Sequence, residues 1–287
     1  MKKYTLGADV GGTKIQVGLV TPKNRLVKNE QFLIDQSNGR AAQQSILAAI
    51  SAIYSKEVRA IGVGITGHVN SSTGVAAGSV NLPKSWNNVP LKSIILKRFR
   101  VPTMIDNDAN CISLAEASVG KGKKYNAVMS ITIGTGIGMG LVINKQLFRG
   151  GQDATELGHT IINKKYSFEN LVSGPSLVKN FRKKTGLTKT SYEIVAAANK
   201  GNRTARALIR EMSQWLAIGL NNAMLSYSPE IIVLGGGLAC VPSLIRPAIK
   251  EVKKMLCYRH LRKTLIVTSS LGYNAGVIGS ALLTKNQ

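Results

Sequence analysis

The sequence predicts an α/β protein built in two halves, and three observations carry that prediction. Short apolar runs of strand length alternate along the chain with longer segments of helical spacing. A unit of strand, glycine turn and strand opens the chain between Tyr4 and Val20. A second unit of this form stands at Ala127 to Ile143. Each turn carries a threonine, Thr13 in Gly11-Gly12-Thr13-Lys14 and Thr135 in Gly134-Thr135-Gly136. The 287 residues leave room for a large core and for two domains.

Tyr4 to Val10 reads as a buried strand interrupted by one carboxylate, Asp9, and Ile15 to Val20 alternates as a second strand. Glycines let backbone N–H groups approach a ligand closely, and clustered donors favour phosphate. Taken alone, Gly11-Gly12 equally fits a type I′ hairpin turn. A carboxylate inside a strand is costly unless solvated or paired, and magnesium is a natural partner. The stretch therefore points to an ATP phosphate tail with a metal ion at Asp9. Two other patterns are decoys. The P-loop motif needs Gly-Lys-Ser/Thr and a following helix, whereas here Thr13 precedes Lys14 and a strand follows. Gly62-x-Gly64-x-x-Gly67 leads into loop-like His68 to Ser72, with no acidic residue about 20 positions on.

Arg25 to Ile34 reads as a third strand, Asn38 to Tyr54 as a helix and Val58 to Ile65 as a buried strand. Gly67 to Pro83 is a loop with one short strand around Val75. Pro90 to Phe99 has helical spacing, Val101 to Ile105 is a strand, and Asp106 to Asn110 opens a helix reaching Val119. Ligands of α/β folds bind at the carboxyl ends of strands, and Asn107 and Asp108 lie just past one. Asp108 also suits a helix N-cap. Gly120 to Lys124 marks a crossing point, after which Ala127 to Ile133 and Ile137 to Ile143 form the second hairpin. Two such hairpins predict two lobes gripping one nucleotide.

Glu156-Leu157-Gly158-His159 and Glu169 follow, then helices at Pro175 to Lys184, Ser191 to Ala198 and Thr204 to Tyr227, the last with Trp215 in the core. The strand Glu230 to Leu234 ends in Gly235-Gly236-Gly237, either a flexible turn or a shelf on which a flat adenosine ring can lie. Val241 to Leu256 is helical and Thr264 to Thr268 a strand. Ala275 to Leu283 is a final helix with Gly276 and Gly279 for close packing.

A hydrophobic content of 44% argues against disorder. The net charge of +24 is spread along the chain, and aromatic residues make up only 5%. A basic solvated surface that draws in nucleotides is therefore favoured over a nucleic-acid reader. Cys111, Cys240 and Cys257 form neither a disulfide framework nor a zinc cluster, which fits a reducing cytoplasm. Lys2 and Lys3 precede an apolar run broken by Asp9, so no signal peptide is expected. The longest uncharged stretch, Tyr125 to Asn144, alternates like paired strands and is not expected to cross a membrane.

Taken together these residues resemble the ROK family (repressor, open reading frame, kinase) of the actin-like, ribonuclease-H-like ATPase fold, over nearly the whole chain. Asp9 to Lys14 resembles its first phosphate motif, and Asn81-Leu82-Pro83 with Trp86 its sugar loop. Asn107-Asp108-Ala109-Asn110 resembles the catalytic segment and Ile133 to Gly138 the second phosphate motif. Glu156 to His159 resembles the glutamate-x-glycine-histidine signature. Glu169 with Ser173-Gly174-Pro175 resembles the segment after the family's zinc cluster, and Leu234 to Gly237 the adenosine motif. Ile161 to Ser167 stands where many members carry zinc-binding cysteines, so no zinc is expected. His159 is left as a sugar hydrogen-bonder or a structural partner of Glu156 or Glu169.

The resemblance implies an ATP-dependent hexose kinase acting on O6 of glucose, with N-acetylmannosamine or another hexose or amino sugar as the alternative. It implies a small lobe of 1–118 and 274–287, a larger lobe of 119–273, and a homodimer. Asp108 becomes the general base. Asn81, Asn107, Glu156, His159 and Glu169 become sugar ligands alongside it. Gly11, Gly12, Thr13, Lys14, Gly134, Thr135 and Gly136 become phosphate ligands, Gly235 to Gly237 the adenosine shelf, and Asp9 the group positioning magnesium. Two rivals are a sugar-responsive repressor, for whose DNA-binding domain the eight residues before Asp9 are too few, and a polyanion-binding protein.

Overall fold

The computed structural model describes residues 3–151 and 155–285; Lys2 lies outside them. The chain divides into two compact units, Met1–Lys124 with Gly140–Ala154 and Leu271–Gln287, and Tyr125–Met139 with Thr155–Ser270.

In the first unit the opening motif becomes the middle of a sheet. Strands β1 (Tyr4–Val10), β2 (Lys14–Val20) and β3 (Leu26–Leu33) pair antiparallel in succession. Helix α1 (Gly39–Ile53) starts where the Asn38 side chain accepts from the Ala41 N–H at 2.9 Å, and it buries Ala42, Ile46, Ile50 and Ile53 at helical spacing. Strand β4 (Val58–Ile65) pairs parallel with β1. The segment read as a loop with one strand holds two, β5 (His68–Asn70) and β6 (Val75–Gly78), paired antiparallel. Helix α2 (Leu91–Phe99) ends on Arg100 in the left-handed conformation. Strand β7 (Thr103–Asn107) pairs parallel with β4, and α3 (Asp108–Ser118) follows without a loop. The sheet order is β3-β2-β1-β4-β7, so the carboxyl ends of the parallel strands β1, β4 and β7 share one edge. A core of Leu6, Val17, Ile46, Ile61, Val63 and Ile105, with others, sits against it.

The second sheet has the order β10-β9-β8-β13-β14. Its strands are β8 (Ala127–Ile133), β9 (Ile137–Ile143), β10 (Gln146–Leu147), and, farther on, β13 (Ile231–Gly235) and β14 (Leu265–Thr268). The uncharged stretch from Tyr125 to Asn144 is thus a strand pair. Among the described residues no helix is long and apolar enough to cross a membrane. A small hairpin, β11 (Ile161–Asn163) and β12 (Tyr166–Ser167), precedes the short helix α4 (Phe168–Leu171). Helices α5 (Gly174–Thr185), α6 (Ser191–Asn199), α7 (Arg203–Tyr227) and α8 (Pro242–Met255) complete the unit, with α7 packed against α5, α6 and α8. Trp215, expected in the core, is only half-buried. It stands beside the buried stripe of α7 and lines a groove with Leu177, Leu208 and Met212. Gly237 to Cys240 form a 3-10 turn, so the triple glycine runs into ordered structure rather than a flexible turn.

Helix α9 (Asn274–Leu282) belongs to the first unit and is pressed against β1, β4 and α3. A Cβ on Gly279 would stand 1.7 Å from the carbonyl oxygen of Cys111, which fixes glycine there. Ser280 accepts from the Gly64 N–H at 2.9 Å and donates to the Gly276 carbonyl at 2.7 Å, tying α9 to β4.

Candidate active site

The first unit gathers its predicted residues at the shared carboxyl edge. Asp9 is the penultimate residue of β1, paired with Gln16 across β2 and with Gly64 across β4. Gly276 of α9 lies so close that a Cβ there would stand 2.1 Å from Asp9 Oδ2. Burial, and then the negative charge of Asp108, push the Asp9 carboxyl from 3.8 up to about 7. Neither Gly11 nor Gly12 has a positive φ, which rules out the type I′ turn. The turn is instead a three-residue connection closed by Gly11 N–H donating to Lys14 C=O at 3.0 Å. Thr13 and Lys14 beside it are exposed.

Gly12 abuts the sugar loop. A Cβ on it would lie 2.7 Å from the Asn81 carbonyl oxygen and 2.8 Å from Asn81 Cβ. The Gln36 amide bridges the two, donating to Gly12 C=O and to Asn81 C=O. Asn81 Nδ2 donates to Thr66 Oγ1 at 3.4 Å, and its backbone N–H donates to Ser79 Oγ at 3.1 Å. Trp86 is 3% exposed and anchors the loop in the core.

At the start of α3 the cap duty falls on Asn107, not on Asp108. Asn107 Oδ1 accepts from Ala109 N–H at 2.8 Å and Asn110 N–H at 3.4 Å, while Nδ2 donates to Gly67 C=O at 3.0 Å. Asp108, half-buried in the first turn, accepts from Ala109 N–H at 2.8 Å. The residues that sequence reasoning passed over are next to it. Asp106, 2% exposed, accepts from Asn107 N–H at 2.8 Å and Asn110 Nδ2 at 2.9 Å on one oxygen. Its other oxygen accepts from two Arg149 nitrogens at 2.8 and 2.7 Å.

The second unit holds the other predicted residues. Gly134 N–H donates to Gly136 C=O at 2.9 Å, and Gly134 C=O accepts from Gly174 N–H, the first residue of α5, at 2.8 Å. The second glycine turn is therefore built onto a helix N-terminus, a place that favours anions. Space beside Gly134 is open, since a Cβ there would meet nothing within 4 Å. Glu169 holds the other side of the turn: its Oε2 accepts from Ile137 N–H at 2.8 Å and would stand 2.2 Å from a Cβ on Gly136. Glu169 is placed by Phe168, fully buried in the notch left by Gly219 of α7, and by the Ser167–Asn170 capping box of α4.

Glu156 and His159 flank a 3-10 turn, with Oε2 and Nε2 3.8 Å apart and both side chains well exposed. Gly158 packs this turn onto Ile137, where a Cβ would lie 2.4 Å from the carbonyl oxygen. Gly235 pairs with Thr132, and Gly236 (φ 83°) sits against Ile133, so the glycine shelf lies beside the second phosphate turn. The Tyr192 hydroxyl is 3.1 Å from the Cβ position of Gly237. A lone tyrosine in a helix carries no sequence signal for that placement.

The donors at Asp9 suit a magnesium ion. Carboxylate oxygens are the hard ligands it takes, and a cation would relieve the repulsion between Asp9 and Asp108 that raises the Asp9 pKa. Among the described residues no group of three His, Cys, Asp or Glu side chains is placed to hold a metal by itself.

A family model described as ROK family matches residues 5–287. A glucokinase of Streptomyces coelicolor is 28% identical over 98% of this chain and 97% of its own length. A beta-glucoside kinase of Listeria monocytogenes is 30% identical over 95% and 94%. The crystal structure of a ROK family glucokinase from Streptomyces griseus, in complex with glucose and AMPPNP, superposes with a TM-score of 0.86 at 27% identity, covering 99% of this chain and 100% of that one. With its actin-like ATPase fold and a family match running almost from end to end, this chain belongs to the ROK family.

Proposed function

We propose that the chain is an ATP-dependent sugar kinase that transfers the γ-phosphoryl group to a hexose hydroxyl, with O6 of glucose as the first substrate. The observation that carries the reading is the placement of Asp108. It stands at a strand-to-helix junction on the carboxyl edge of the sheet, relieved of the cap role by Asn107, in the electrostatic field of Asp9. Asp108 takes the proton of the sugar hydroxyl as that oxygen bonds to the γ-phosphorus and the bond to the leaving ADP oxygen breaks. Phosphoryl transfer needs positioning and charge neutralisation more than covalent chemistry. The first glycine turn with Thr13 and Lys14, and the second with Thr135, supply phosphate donors, and Gly235 to Gly237 receive the adenosine. Asp9 would hold magnesium brought in with ATP, which would neutralise phosphate charge. Asn81, Asn107, Glu156, His159 and Glu169 orient the sugar, and buried polar partners reject analogues that lack a hydroxyl. The two compact units serve as the two lobes, and the enzyme works as a homodimer in the cytoplasm.

Acetylated hexosamines are the second substrate class. The cysteine-free hairpin of β11 and β12, where many members of the family carry a zinc cluster, is compatible with them. A coupled assay of ADP release across glucose, N-acetylmannosamine, beta-glucosides and other hexoses decides between them. Absence of sugar-dependent ADP release with any of them overturns the kinase reading. With the preferred sugar, Asp108→Asn lowers kcat by about 100- to 10,000-fold while sugar affinity stays within a few fold. Retention of most of the turnover removes Asp108 from the role of base.

A further inference from the structure

The buried pair of Asp106 and Arg149 lies outside every motif that the sequence singles out, yet it is built into the turn that carries Asp108. Asp106 accepts four hydrogen bonds at 2.7 to 2.9 Å, two from Arg149 and two from the α3 start, namely Asn107 N–H and Asn110 Nδ2. Both elements come from the first unit. Asn110 is 7% exposed, and its Oδ1 has no hydrogen-bond partner, so its side chain is held through Nδ2 alone. The carboxylate of Asp106 therefore spans the first turn of α3. It fixes the backbone just before Asp108 through Asn107, and the side chain two residues after it through Asn110.

Arg149 in turn fixes the carboxylate. Its Nε and one terminal nitrogen both reach Oδ2, so two guanidinium N–H groups converge on one carboxylate oxygen. The guanidinium is one-third exposed while Asp106 is almost wholly buried, so Arg149 screens the carboxylate from one side. A lysine keeps the charge but not the two-pronged geometry. Arg149 stands on the segment between β10 and Glu156, next to Gly150 in the left-handed region.

Resting on the kinase reading above, we infer that Arg149 is a positioning residue for the phosphoryl-transfer step. Through Asp106 it sets the rotation of the first turn of α3 and with it the direction in which the Asp108 carboxylate points. It touches neither sugar nor nucleotide in this account, and its effect falls on kcat. A base displaced by about an ångström loses on the order of 100-fold in rate, whereas most of the sugar and ATP contacts proposed above lie outside this turn, and the Asn107 side chain keeps its own bond to Gly67 C=O.

The test uses Arg149→Lys, Arg149→Met and the double variant Asp106→Asn/Arg149→Met, which removes both charges and avoids a stranded buried carboxylate. Amide hydrogen exchange is read first, with no substrate present. In Arg149→Met and in the double variant the Asn107, Ala109 and Asn110 amides lose protection by at least about tenfold, while those of α1 and α7 are unchanged. Unchanged protection at these three amides overturns the inference, whatever the chain phosphorylates. Steady-state kinetics with the preferred sugar follow, at a temperature where all variants are folded. Arg149→Lys lowers kcat by about 10- to 100-fold with both KM values within about threefold of the parent, and Arg149→Met lowers it further. A parent-like kcat in Arg149→Lys, or a loss confined to KM, overturns the inference. Failure of the kinase reading itself appears separately, as an inactive parent protein.

Discussion

Asp9 shows how a single residue can stand out in a sequence. A carboxylate in an apolar strand has an energetic cost that the sequence alone reveals, and the structure gives its sign. The carboxyl titrates near 3.8 in the unfolded chain and near 7 when folded, so between those values the folded state binds more protons. Stability of the ligand-free protein accordingly falls as pH rises from about 4 to about 7. The full loss, roughly 4 kcal/mol at 1.36 kcal/mol per unit, is present above that range. Urea unfolding at both ends of the window should show the parent losing stability relative to Asp9→Asn, with magnesium and nucleotide narrowing the gap at the upper end. An equal pH response in the two proteins would show that Asp9 titrates normally. The position of Asp108 at a strand-to-helix junction was legible, since an apolar run ends there and helical spacing begins. Asp106 was not, because its partner Arg149 is 43 positions away and only the tertiary fold brings them together.

Elements with a long period were legible almost to the residue: β4, β8 and β9 have the expected ends, and α1, α6 and α7 differ by one position or so. Two- and three-residue strands such as β5, β10, β11 and β12 have no period to read and escaped notice. Helix α7 holds the less visible lesson. Gly219 in its middle lowers helix propensity by about 1 kcal/mol relative to alanine, and sequence alone offers no reason for it. The reason is the Phe168 ring, which would lie 2.2 Å from a Cβ at that position. Overpacking of this kind costs about 1–3 kcal/mol, more than the propensity gain, so Gly219→Ala destabilises the protein. Because Phe168 adjoins Glu169, whose carboxylate holds the turn proposed to bind phosphate, KM for ATP should rise as well. Thermal unfolding and ATP titration of Gly219→Ala check both, and smaller residues at 168 should recover part of the loss.

At the scale of the molecule, composition predicted the class of partner less well than the motifs did. A net charge of +24 invites a nucleic-acid reading, but a diffuse cationic field has a simpler effect on an enzyme that takes a nucleotide. Salt should weaken kcat/KM for ATP severalfold between about 20 and 300 mM, since the Debye length shrinks below 10 Å over that range. KM for an uncharged sugar should stay flat in the same titration. A sugar KM that tracks the ATP response would point to salt acting on the fold instead. The two-halved α/β plan was legible because the glycine hairpin occurs twice. The close approach of Gly140 to Ser113 and Ala109 of α3, within the first unit, was not, because it joins segments far apart in the sequence. One contact has a reach beyond its size. Gln36 clips the backbone of Gly12 to that of Asn81, so the turn proposed to hold phosphate and the loop proposed to hold sugar are tied to one another. On the proposed roles, anyone retuning this protein for a new sugar by rebuilding the segment around Asn81 would also be adjusting its grip on ATP, and breeding for specificity would mean selecting on both substrates together.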